Sequence, residues 1–281
     1  MGTKKSLELN PPYQFARAKK ALGQNFLKSG AALAKIIDAG NISAGDTVLE
    51  IGPGRGALTG KILAQCAAKG ATLVAVEKDG ELFAMLSERF AAEIRQGILS
   101  LREGDILDAD IDALVGRAPY KIIANIPYNI TGAILKKFLT AQHQPETMIL
   151  MVQHEVAQRI LARDGKESLL SISVKAYGEP RMVAKVPARY FSPAPKVDSA
   201  VIAIEHISKK NFTPARAGVP MQVGEEKFWR IVHAGFAHKR KKLAGNLKNL
   251  FSHKKELLED LGNARAEEFS LSQWLELISR A

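Results

Sequence analysis

The chain has 281 residues, 46% of them hydrophobic and 25% charged, a formal net charge of +11 and one cysteine. That balance suits a globular protein with one sizeable domain and one small one, and excludes a disulfide scaffold or a thiolate metal cluster. The excess of cations points to a polyanionic partner such as nucleic acid, and no apolar stretch is long enough to span a membrane, so a reducing compartment, the cytoplasm, is expected.

Residues 1–20 are polar, basic and broken by Pro11-Pro12, and read as a mobile arm. Gly23-Gln24-Asn25-Phe26-Leu27 sets amides beside apolar side chains, which suits a loop covering a ligand. A helix over 29–39 follows, with Leu33, Ile36 and Ile37 on one face. Val48, Leu49 and Ile51 then close a short strand, Gly52, Gly54 and Gly56 follow at once, and 57–69 reads as a helix. Strand, glycine turn and helix N-terminus form the adenine-nucleotide cradle of doubly wound sheets. Glycine lets the backbone turn and a ligand approach where a Cβ would stand. Gly52-x-Gly54-x-x-Ala57 fits a dinucleotide, and Glu50-x-Gly52-x-Gly54-x-Gly56 fits S-adenosylmethionine (SAM) equally well. The next strand, 72–77, ends in Glu77, placed to hold a ribose diol of either ligand.

The alternation continues with a helix over 80–96, a strand over 98–101 leading to Gly104-Asp105, and a strand over 120–124. A helix over 131–140 with Thr131 as N-cap, an apolar strand over 147–152 and a helix to 163 come next. Strands near 181–186 and 197–204, joined through Phe191-Ser192-Pro193-Ala194-Pro195-Lys196, suit a hairpin at a sheet edge. The expected fold is thus α/β and Rossmann-like, a mostly parallel sheet of seven strands whose last hairpin is antiparallel. It occupies 21–207, before a linker over 208–224 and an all-α domain over 225–281. That last part, from 207 on, holds fourteen Lys and Arg against eight Asp and Glu. The charge concentrates in His238-Lys239-Arg240-Lys241-Lys242, and drawn as one helix Leu243, Leu247, Leu250 and Phe251 form an apolar stripe, with Lys241 and Lys248 opposite.

Asn125-Ile126-Pro127-Tyr128 ends the fourth strand, where open α/β sheets bind their ligands. It belongs to the [N/D]-x-P-[Y/F] class of amino-group methyltransferases, whose chemistry can be built from parts. The lone pair of an exocyclic adenine amine is delocalised into the ring. Two carbonyls accepting its N–H bonds, the Asn125 side chain and the Ile126 backbone, draw the nitrogen toward tetrahedral geometry. Pro127 stiffens the turn, and Tyr128 offers a ring on which an extruded base can stack. No metal is required, and a nicotinamide oxidoreductase has no use for this tetrapeptide.

Gly23-Gln24-Asn25-Phe26-Leu27, Glu50 to Gly54, Glu77, Gly104-Asp105, Asn125 to Ile130 and Phe191 to Val201 occur in the order in which they resemble the KsgA/RsmA family. This resemblance implies a SAM-dependent enzyme that makes N6,N6-dimethyladenine on two adjacent adenines near the 3′ end of 16S rRNA, in the small ribosomal subunit or its precursor. It implies that Asn25, Leu27, Gly52, Glu77, Asp105 and Asn125, together with Gly54 of the cradle, hold SAM, and that Phe191 faces the target base opposite Tyr128. Lys196, Lys239, Arg240, Lys241 and Lys248 are the candidate RNA contacts of an enzyme expected to be a monomer. Two alternatives stay open, an Erm-type large-subunit (23S) adenine methyltransferase and a non-catalytic assembly factor with this fold.

Overall fold

The structure, a computed structural model, describes residues 18–212 and 223–281. Almost all of the expected N-terminal arm and the stretch 213–222 of the expected linker lie outside those residues.

The described residues hold nine strands: β1 Phe26–Leu27, β2 Thr47–Ile51, β3 Thr72–Glu77, β4 Leu99–Glu103, β5 Tyr120–Asn125, β6 Thr147–Gln153, β7 Glu179–Val186, β8 Phe191–Ser192 and β9 Ser199–Glu205. Seven of them form one sheet in the order β4-β3-β2-β5-β6-β9-β7. β2 to β6 are mutually parallel, and β9 runs antiparallel to both β6 and β7. The chain lays strands outward from β2 to β4, then returns to place β5 on the other side of β2. That reversal opens a crevice at the carboxyl ends of β2 and β5. Both motifs singled out from the sequence, the glycine turn and Asn125 to Tyr128, start there. The remaining two strands, β1 and β8, pair with each other as a separate antiparallel ribbon.

Side-chain alternation along each strand feeds two apolar layers. Val48 and Ile123 pack with α1 (Gly30–Gly40) and α2 (Ala57–Lys69), while Leu49, Ile122 and Ala124 face the opposite layer. There they meet α5 (Ile111–Val115), α6 (Thr131–Leu139), α7 (His154–Leu161) and α8 (Leu169–Lys175). Residues 148–152 of β6 are wholly buried, as a strand covered on both faces must be. The C-terminal helices, α9 (Glu225–Gly235), α10 (Leu243–Leu247), α11 (Lys255–Asp260) and α12 (Leu271–Arg280), extend the second layer around buried Phe228 and Trp274.

Four local expectations need correction. The helix over 80–96 is two, α3 (Gly80–Arg89) and α4 (Ala91–Arg95), broken where Phe90 leaves helical geometry (φ −110°, ψ 27°) and is buried beside Gly56. Burial of that ring outweighs local helix propensity. Thr131 is the first residue of α6, not its cap, and its hydroxyl is buried without a hydrogen-bond partner. The helix after β6 ends at Leu161, because Ala162 takes a left-handed conformation. Most consequential, the cationic run 238–242 is a turn between α9 and α10, and no single helix carries it. The Asn246 side chain donates to the carbonyls of Gly235 and His238, satisfying groups that the end of α9 leaves open. Leu243, Leu247 and Phe251 are buried as expected, but Leu250 is exposed.

Candidate active site

A cavity of about 530 Å³ lies at the carboxyl ends of β2, β3, β4 and β5. Gly52 and Gly54 form its floor with φ of +65° and +61°, a region costly for any residue with a Cβ. A Cβ on Gly52 would meet nothing within 4 Å, so the backbone there is open to a ligand. On Gly54 it would stand 3.1 Å from the ring of Phe26, which closes the cavity from above together with Arg55, whose guanidinium sits 4.4 Å from that ring's centre.

Glu77 ends β3 buried, and its two oxygens accept from the N–H groups of Gly54 and Asp79, both at 2.9 Å. Burial raises its pKa while those backbone N–H groups oppose the rise. A carboxylate offers about four lone-pair sites, so two remain for a diol. Asp105, at the end of the β4 segment, accepts from Leu107 N–H at 2.9 Å and from Lys78 Nζ at 2.7 Å. The Lys78 ammonium holds its carboxyl below the usual range.

Asn125 closes β5 with its amide oriented. Nδ2 donates to the carbonyl of Asn25 at 3.3 Å, leaving Oδ1 as an acceptor on the cavity wall. Ile126, buried, and Pro127 (φ −59°, ψ 133°) carry the chain into a tight turn at Tyr128–Ile130. The half-buried Tyr128 ring lines the cavity, and its hydroxyl lies 2.5 Å from that of Ser199. Burial raises the pKa of Tyr128, keeping the phenol protonated.

The structure therefore brings Asn25, Leu27, Gly52, Gly54, Glu77, Asp105 and residues 125–128 around one cavity. It does not bring Phe191 there. That ring is 2% exposed, packs with the layer around α1 and is absent from the cavity wall. β8 pairs Phe191 with Leu27, which ties it to the covering segment. Lys196, Lys239, Arg240, Lys241 and Lys248 are all exposed and away from the cavity wall.

Two features were not singled out from the sequence. Glu50 is 1% exposed on the cavity wall, its Oε2 has no hydrogen-bond partner, and burial pushes its carboxyl up to about 8. The acidic position of the glycine motif is the signal that marks it. The second feature is a clasp on the covering segment. Asp79, 3% exposed, accepts from Lys19 Nζ at 2.7 Å and from Gln24 Nε2 at 2.9 Å, and Gln24 Oε1 accepts from Lys19 N–H. Burial opposes the ionised form of Asp79, but these partners outweigh it and hold its pKa below the usual range. Separated by some sixty residues of sequence, the two halves of the clasp carry no common motif.

The chain matches the family model described as ribosomal RNA adenine dimethylase over residues 15–281. Proteins named ribosomal RNA small subunit methyltransferase A from Dehalococcoides mccartyi (strain CBDB1) and Thermosynechococcus vestitus are 37% and 41% identical to it. Each alignment spans 93% of this chain, and 87% and 96% of the respective relatives. A solved dimethyladenosine transferase from Plasmodium falciparum is similar with a TM-score of 0.74 at 25% identity, over 91% of this chain and 96% of that one. The 23S rRNA methyltransferase ErmE is similar with a TM-score of 0.70 at 26% identity, over 91% and 99%.

Proposed function

The chain belongs to the ribosomal RNA adenine dimethylase family, an adenine dimethyltransferase of small-subunit rRNA, and from that premise we propose that it uses SAM to methylate two adjacent adenines near the 3′ end of 16S rRNA. The cavity suits this donor. An unpartnered, buried carboxylate oxygen on Glu50 calls for a cation or a donor, Glu77 has acceptor capacity for ribose hydroxyls, and Gly52 leaves its backbone open to close approach. Asn25, Leu27, Gly52, Gly54, Glu77, Asp105 and Asn125 hold the cofactor in this reading. When bound, SAM supplies an electrophilic methyl group on a sulfonium.

The observation that carries the proposal is the orientation of Asn125. Because Nδ2 is committed to Asn25, Oδ1 is the end available to an amine in the cavity. Together with the neighbouring carbonyl of Ile126 it accepts both N–H bonds of the adenine amine, so that the nitrogen becomes tetrahedral and its lone pair is withdrawn from conjugation with the ring. Pro127 has no N–H, so no backbone donor at that position competes for the Asn125 side-chain oxygen. Tyr128 stacks on the extruded base, an interaction worth about 1–3 kcal/mol. Catalysis on this account is positioning, with no covalent intermediate.

Lys196, Lys239, Arg240, Lys241 and Lys248 contact phosphates of the RNA, with the cationic turn between α9 and α10 orienting the particle. The partner is the small subunit or its precursor, met by a monomer in the cytoplasm. The likeness to ErmE leaves one rival substrate, so the test is labelled-methyl transfer by the pure protein to small-subunit particles, large-subunit particles and naked RNA, with mapping of the modified base. Dimethyladenine at the two adjacent positions is expected. Labelling confined to large-subunit RNA, or no turnover at all, refutes the proposal.

A further inference from the structure

Ser199 opens β9 fully buried, and residues 200–204 that follow it are wholly buried and apolar. A hydroxyl in such surroundings needs a partner, and the phenol of Tyr128, 71 residues away in sequence, provides it at 2.5 Å. The strand that carries Ser199 is held on both sides, opposite Gln153 of β6 and Val186 of β7. The residue before it is held as well, since the carboxylate of Asp198 accepts from Ala188 N–H and its carbonyl from His154 N–H. Ser199 is thus a fixed point of the sheet. Tyr128 is not, because it sits on a short turn beyond the end of β5 with its ring half-buried on the cavity wall.

We infer that Ser199 is a positioning residue for methyl transfer, holding the tip of the Tyr128 ring so that its plane is set before the adenine arrives. The inference rests on the reading of Tyr128 as the surface on which the base stacks. A stacking face is useful only in one orientation, and without the hydroxyl bond the ring would have to be ordered by the substrate itself. The loss falls on the chemical step. RNA binding rests mainly on phosphate contacts, and the SAM-holding groups are bonded independently of Ser199.

Single-turnover methylation of small-subunit particles by Ser199→Ala, Tyr128→Phe, the double variant and Tyr128→Ala tests this. Ser199→Ala and Tyr128→Phe should each slow transfer about three- to tenfold, the net worth of one hydrogen bond. The double variant should be no slower than the slower single, because one bond is lost in all three. KM for the particle and the dissociation constant for SAM should stay within twofold of wild type. Tyr128→Phe keeps the ring and removes a single oxygen, so it decides the matter even if Ser199→Ala melts early. A wild-type rate for Tyr128→Phe beside a crippled Tyr128→Ala overturns the role of Ser199 and leaves stacking intact. A wild-type rate for Tyr128→Ala overturns the stacking reading beneath it. Additive losses in the double variant also overturn the inference.

Discussion

Replacing Glu50 by Gln should change how the cofactor-free protein responds to pH. The carboxyl is buried in the folded state, and burial pushes it from the ordinary 4.5 up to about 8. The folded protein therefore holds this proton more tightly than the unfolded chain, so stability is greatest below about pH 4.5 and falls as pH rises through 8. Each pKa unit corresponds to about 1.4 kcal/mol, so the displacement amounts to on the order of 5 kcal/mol, a ceiling reached if the site stays as dry as in the structure. Gln is nearly isosteric and neutral, and removes this dependence. Glu77, also raised by burial, gives a slope of the same sign in both proteins, and its charge adds to the rise at Glu50. Urea unfolding of both proteins between pH 5 and 8.5 measures the difference between them. The wild type should lose several kcal/mol more than Glu50→Gln over this range, and SAM, by placing a cation in the cavity, should recover much of it at pH 8. Parallel stability curves for the two proteins would refute the reasoning, since they would mean that Glu50 is already ionised in the fold.

Asn125→Ala should slow methyl transfer by roughly 10²–10³-fold, the range for removing one preorganised polar contact, while particle affinity measured by filter binding barely changes. Glu77→Ala removes both the proposed diol contact and the clamp on Gly54, so calorimetry should show SAM affinity weakened by roughly 1.5–3 kcal/mol. Lys241→Ala and Lys248→Ala should each lower the salt slope of particle binding by about one and leave SAM affinity untouched. Unaltered salt dependence in the double variant would reduce both residues to solvated surface.

The parts of the fold that could be read from the sequence are those set by short-range patterns. Apolar runs bounded by turn residues located the seven strands of the main sheet, and the glycine spacing located its crevice, because period and turn chemistry are local properties. What escaped was decided through space. Phe90 breaks a helix because its ring is buried beside Gly56, and nothing in the residues around it marks the break. The cationic run 238–242 looked helical from its leucine spacing, yet Asn246 folds it into a turn by capturing carbonyls from α9. The motif resemblance points Phe191 at the base, and its pairing with Leu27 and its burial are visible only in three dimensions. In the site itself, the residues of the glycine loop and of the strand ends could be placed from sequence. Side chains such as Ser199 and Asp79, which hold those residues in position, could not.

Each target adenine takes two methyl groups, so spent cofactor must leave between transfers. The segment covering the cavity is attached by two kinds of bond. At its inner end the β1–β8 ribbon, continued by Lys28 N–H to the carbonyl of Tyr190 at 2.8 Å, joins it through backbone to the strip that leads to Ser199. At its outer end, among the described residues, it is held by side chains, Lys19 on Asp79 and Glu81 and Gln24 on Asp79. Peeling from the outside breaks the two partly exposed ion pairs of Lys19, with Asp79 and Glu81, and the hydrogen bond from Gln24 to Asp79, and leaves every ribbon bond made. The cover is thus tied more firmly on the ribbon side than at Asp79, so opening at Asp79 would leave the ribbon and the turn at Tyr128 in place.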